Sequence, residues 1–144
     1  MSMISGQKFL DLAGHLVVNA SFSCHETRYR SAISRAYYGA FHLAVEFLSE
    51  FGATVPRGPQ GHEIAWRSLY SLPIRAAKDA ANHLNELRGI RNKADYALDW
   101  KGMDSLRNAQ DKVQMAHLVK SKLDECRLEP NRIQVIAALK DQGG

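Results

Sequence analysis

The chain has 144 residues, of which 45% are apolar and 24% charged, the balance of an ordinary globular domain long enough to bury a core without a metal or a disulfide. Nineteen Lys and Arg against fifteen Asp and Glu give a formal charge of +4, which permits a polyanionic partner but is mild beside the excess of dedicated nucleic-acid binders. The sequence has no apolar run near the roughly eighteen residues of a membrane span, its start MSMISGQKFLDLAGHLVV lacks a signal-peptide pattern, and Cys24 and Cys126 fit no metal-ligand spacing, so a cytoplasmic protein with two reduced thiols and no membrane contact is expected.

In chain order, apolar residues at three- and four-residue steps predict a helix over 8–20 and a second over 26–51. The second is apolar around most of its circumference: Ile33, Tyr37, Ala40, Ala44, Phe47, Leu48 and Phe51 make one stripe, and Phe41 and Val45 widen it. Such a helix is central to a bundle, or meets both its own core and a second subunit. Its remaining face carries a polar row, Arg35, Tyr38 and His42, which either lines a cleft or is the polar side of a packed helix. Three glycines and two prolines in GATVPRGPQG (52–61) end the helix in a loop.

Further helices are predicted over 61–71, 74–98 and 103–127, with Pro73 and Gly102 marking breaks, Pro130 stopping the fifth, and a short last segment over 133–139 before a fraying Gly143 and Gly144. No alternating segment predicts a strand. The fold class is all-α, an up-and-down bundle of four or five helices in one domain over 1–144, with a core of about 5–127 and a C-terminal extension over 128–144.

The helix over 74–98 holds the most informative residue. Ala77, Ala80, Ala81, Leu84, Leu87, Ala94 and Leu98 form its apolar stripe, and Arg91 projects from the middle of that stripe, with Arg88 and Asp95 at the edge. A charge there must be paired or must face a cleft or partner. Arg91 with Asp95 is therefore either an i,i+4 ion pair that neutralises two charges inside the bundle or a dimer interface, or a pair that faces a ligand.

SRAYYGAFHLAVEFL (34–48), then GHEIAW (61–66) after the loop, then LRGIRNKADY (87–96) resemble, in order and spacing, the HEPN superfamily, and within it the stand-alone bacterial and archaeal branch with a tyrosine-rich second helix and an R...ADY segment. The resemblance implies a helical bundle, commonly a homodimer with a polar cleft at its interface, and a ribonuclease or toxin activity without metal, often beside a nucleotidyltransferase-type antitoxin. The ribonuclease signature is an Arg, often followed by Asn, Asp or His, with a catalytic His four to six residues on. Arg91 and Asn92 match the first half, but the His slot with four intervening residues holds Tyr96, and no His stands between His83 and His117.

That departure bears on mechanism. Cleavage by the 2'-hydroxyl needs a base, an acid and a cation against the developing charge. Arg91 suits the cation's part. A tyrosine with an ordinary pKa near 10 is ionised in only about one molecule in a thousand at neutral pH, so Tyr96 is a poor base, though it can act as an acid or bind phosphate, while Asp95 can accept a proton if burial raises its pKa. The expectation is thus an RNA- or nucleotide-associated binding protein using Arg91, Asn92, Asp95 and Tyr96, acting with a nucleotidyltransferase partner in a toxin-antitoxin or defence system. A metal-independent ribonuclease and a purely structural dimerisation module are the alternatives.

Arg88 reads as a rim charge or a cleft residue. His62 follows the loop at a position that resembles a recurrent His of the branch, and is either a helix-start residue bonded to backbone or solvent, or part of the cleft. The six histidines form no ligand set, so no metal is expected, and neither a phosphate-cradling Gly loop nor a serine- or cysteine-hydrolase motif occurs. No cofactor is expected.

Overall fold

Three- and four-residue apolar spacing produces six α-helices among the described residues: α1 (Gly6–Val18), α2 (His25–Glu50), α3 (Gln60–Tyr70), α4 (Arg75–Tyr96), α5 (Leu106–Arg127) and α6 (Asn131–Gln142). The computed structural model describes residues 6–18, 25–96 and 106–142, apart from the side chains of Val18, His25, Glu26, Tyr96, Asp141 and Gln142. The expected helix ends at Ala20 and Leu98, the break at Gly102, the start at Met103, and the readings of Cys24, Gly143 and Gly144 lie outside those residues. The bundle is all-α, and the segment expected as a short tail over 133–139 lies within a twelve-residue helix, α6.

The core is arranged around α2, which packs against α1, α3, α4 and α5, while α3 lies on α4 and α6 on α5. Ala32, Ala36, Tyr37, Ala40, Ala44, Phe47 and Leu48 of α2 are buried. The main stripe of α2 is therefore covered within one chain, while Phe41 and Val45, which widen it, stay half-buried. The stripe of α4 is buried as expected at Ala77, Ala80, Ala81, Leu84, Leu87 and Ala94.

Two devices set the positions of α2 and α4. A Cβ on Gly39 would stand 2.6 Å from Leu10 Cδ2 and 3.0 Å from the Gly6 carbonyl oxygen, so the absence of a side chain lets α1 lie directly on α2. Nearer the start of α2, the buried Arg30 donates from its guanidinium to the carbonyl oxygens of Ala94 at 3.0 Å and Lys93 at 3.3 Å. These carbonyls belong to the last turn of α4, where intrahelical donors run out and the helix dipole favours a cation. Arg30 thus ties the segment that carries Arg91 and Asp95 to α2.

Candidate functional site

Tyr38, Phe41, His42 and Val45 follow one another on α2 at steps that place them on one face, as do Arg88, Arg91 and Asn92 on α4. The two faces look onto a common cleft of about 670 Å³, whose remaining lining is His62 of α3 and the loop segment 55–59. Gly61 lets that loop close down, because a Cβ there would collide with the Pro56 carbonyl oxygen. The floor is apolar and aromatic, and three arginines, Arg57, Arg88 and Arg91, are among its lining residues.

Arg91 is the most constrained of the three. Its Nε stands 2.9 Å from Asp95 Oδ2, with side-chain exposures of 17% and 28%, so the pair is largely withdrawn from water. Ser34 Oγ donates to the same carboxylate oxygen at 3.3 Å. Arg91 Nη2 donates to the Tyr38 hydroxyl, Nη1 donates to Asn92 Oδ1 at 3.1 Å, and the guanidinium carbon lies 4.9 Å from the centre of the Tyr38 ring. The pair is the i,i+4 ion pair expected from the spacing, and Arg91 also lines the cleft.

His62 departs from the bland reading of a helix-start residue bonded to backbone or solvent. Its Nδ1 is hydrogen-bonded to the hydroxyl of Tyr37, a side chain 1% exposed, and its ring packs 4.2 Å from the centre of Phe41. Burial pushes the Tyr37 pKa well above its ordinary value, against the pull of Arg88 and Arg91. Burial, then the positive charges of Arg88, Arg91 and His42, hold the His62 pKa below its ordinary value. Both groups are accordingly neutral near pH 7. In a neutral imidazole one nitrogen donates and the other accepts, so the bond to Tyr37 fixes the opposite role on Nε2. His42 stacks on Phe9 with ring centres 5.3 Å apart.

The cleft thus gathers six residues singled out from the sequence: Tyr38, His42, His62, Arg88, Arg91 and Asn92. Asp95 is bound to it through Arg91. Arg35 stands one turn before Tyr38 but is exposed and outside the lining, and the Tyr96 side chain lies outside the described residues. Sequence reasoning missed Tyr37, counted as a stripe residue, and Arg57, whose signal was available as the lone cation of GATVPRGPQG. Among the described residues no His, Cys, Asp or Glu group is arranged to hold a metal, and Cys126 is buried with its thiol pKa pushed up to about 11 by burial, which disfavours the reactive thiolate. No described helix is long and apolar enough to cross a membrane.

A profile of the HEPN domain matches residues 7–126. The chain belongs to the HEPN family. No curated protein and no solved structure gives a significant match. The matched span of this HEPN chain contains every residue of the cleft and stops one residue before the end of α5, so that α6 lies outside it. The family assignment also sharpens the question of the missing histidine: the slot after Arg91 holds Tyr96, yet an imidazole reaches the cleft from α3 in the form of His62.

Proposed function

We propose that this HEPN chain binds RNA through the cleft between α2, α4 and the 55–59 loop, with the phosphates held by Arg57, Arg88 and Arg91. The observation that carries the reading is the presence of three arginines in a cleft lining that also contains Tyr38, Phe41 and His42. Guanidinium groups bind phosphate oxygens with two donors at once, and aromatic faces accept unstacked bases, which is how single-stranded RNA is held without base pairing. In this reading the chain is a homodimer acting beside a nucleotidyltransferase-type partner in a toxin-antitoxin or defence setting, as the HEPN resemblance implies.

Fluorescence anisotropy with a labelled single-stranded RNA tests the cleft. Arg88→Gln and Arg91→Gln should each weaken binding by about tenfold, the worth of one charge-assisted contact. Wild-type affinity in both variants, with the fold intact by circular dichroism, would remove the proposal.

A metal-independent ribonuclease is the second reading, favoured by the neutral His62 in the same cleft as Arg88 and Arg91. A neutral imidazole can take the 2'-hydroxyl proton where Tyr96 cannot. Cleavage of RNA in EDTA that is lost in both His62→Ala and Arg91→Ala would make the protein an enzyme. RNA left intact but retained leaves a binding module.

A further inference from the structure

Tyr37 stands on the buried stripe of α2, 1% exposed, and among the described residues its hydroxyl has one hydrogen-bond partner, Nδ1 of His62. A buried hydroxyl has a proton to give and needs an acceptor for it. With Tyr37 all but closed to water, the lone pair of Nδ1 is the acceptor within its reach. The opposite assignment, in which Nδ1–H donates to the tyrosine oxygen, strands the tyrosine proton in the core. Burial keeps both groups neutral near pH 7, with Arg88 and Arg91 adding to its effect on His62. A neutral imidazole that accepts at Nδ1 carries its proton on Nε2.

The ring is also held in place. Its centre lies 4.2 Å from that of Phe41 and 5.4 Å from that of Tyr37, so two aromatic side chains of α2 restrain its rotation. Nε2 has no hydrogen-bond partner among the described residues, and His62 lines the cleft together with Arg57, Arg88 and Arg91. That lining contains no Asp or Glu to accept from the N–H, and its arginines favour an acceptor that is an anion.

We propose that Tyr37 is a positioning residue: by donating to Nδ1 it fixes His62 as the tautomer that presents Nε2–H to the cleft, a neutral donor to the phosphate that the arginines hold. The proposal rests on the cleft reading above and goes past it. An Nε2 that already carries a proton cannot take one from a 2'-hydroxyl, so His62 loses the part of base that the ribonuclease reading gives it.

Two-bond proton–nitrogen spectra of the full chain, labelled with nitrogen-15 at histidine and recorded near pH 7.5, read the tautomer directly, and His62→Gln identifies the His62 signals. The wild type should show a protonated Nε2 and an unprotonated Nδ1. Tyr37→Phe keeps the ring in the core and removes the hydroxyl. It should draw the two nitrogen shifts together as both tautomers become populated, which a packing role for the hydroxyl would not do. Single-stranded RNA added to the wild type should move the Nε2 signal, and Tyr37→Phe should weaken that binding by about threefold, part of the worth of one hydrogen bond. A wild-type His62 protonated on Nδ1 would overturn the proposal and return Nε2 to the part of base, and this measurement decides even if Tyr37→Phe does not fold. Nitrogen shifts left unchanged by Tyr37→Phe would overturn the positioning role. RNA that binds without moving the Nε2 signal would overturn the donor role and leave the cleft reading standing, whereas RNA that does not bind at all would overturn both.

Discussion

Arg91 and His62 place opposite demands on their surroundings. The Arg91 cation stands on an otherwise apolar stripe, and Asp95, Tyr38 and Asn92 replace the water it loses. Arg91→Ala should leave the Asp95 carboxylate with only Ser34 of these polar contacts and cost about 1–3 kcal/mol in urea denaturation, whereas Arg91→Ala with Asp95→Ala should recover part of that loss. A double variant no more stable than the single one would mean that the pair is not coupled. His62 is held neutral instead, by burial and by neighbouring Arg88, Arg91 and His42. Because its folded-state pKa lies below the 6.5 of a free side chain, the unfolded chain binds the proton first as pH falls. The stability linked to neutral His62 is therefore complete above about pH 6.5 and is lost as pH drops through the folded-state value. Thermal melts at pH 7.5 and 5 should differ more for wild type than for His62→Gln, and equal differences would refute this. The Arg91–Asp95 pair was legible in the sequence because i,i+4 spacing is local geometry. The Tyr37–His62 bond was not, since it joins residues 25 apart whose meeting depends on how α3 docks on α2.

At the scale of helices, periodicity was a good guide wherever it was strong. The spacing predicts helices over 26–51 and 61–71, and they run over His25–Glu50 and Gln60–Tyr70. It was ambiguous for the role of α2, because an apolar circumference looks the same whether helices of one chain or a second subunit cover it; here α1, α3, α4 and α5 cover the main stripe, and Phe41 and Val45 face the cleft. Contact geometry was invisible to periodicity as well. Gly39 and Gly89 are both glycines inside helices, yet a Cβ on Gly39 would stand 2.6 Å from buried Leu10, while one on Gly89 meets nothing within 4 Å. Gly39→Val should therefore cost about 1–3 kcal/mol through overpacking between α1 and α2. Gly89→Ala should stabilise the chain by about 0.5–1 kcal/mol, since alanine loses less backbone freedom in a helix. Melting temperatures that shift in the same direction for both would contradict the described approach of α1 to α2.

For the molecule as a whole, net charge was a weak guide and charge placement a better one. A balance of +4 is spread over nineteen basic and fifteen acidic residues, but Arg57, Arg88 and Arg91 come from a loop and two turns of α4 to one cleft. Their presence in one cleft could not be read from composition, because Arg57 lies far before Arg88 in sequence and lines the same cleft only after the loop folds back. Light scattering at micromolar concentration should give twice the chain mass if the proposed homodimer forms, and the monomer mass would exclude it. RNA binding can be tested against the placement of charge directly. Each phosphate neutralised on a single strand releases counterions and contributes about −0.7 to the slope of log K against log salt, so three arginines give a slope of about −2. Arg57→Gln, which touches neither the Arg91–Asp95 pair nor the Tyr37–His62 bond, should flatten that slope by about 0.7 and weaken binding most at low salt. If the affinity of wild type does not vary with salt, or Arg57→Gln leaves the slope unchanged, phosphate is not what this cleft holds through Arg57.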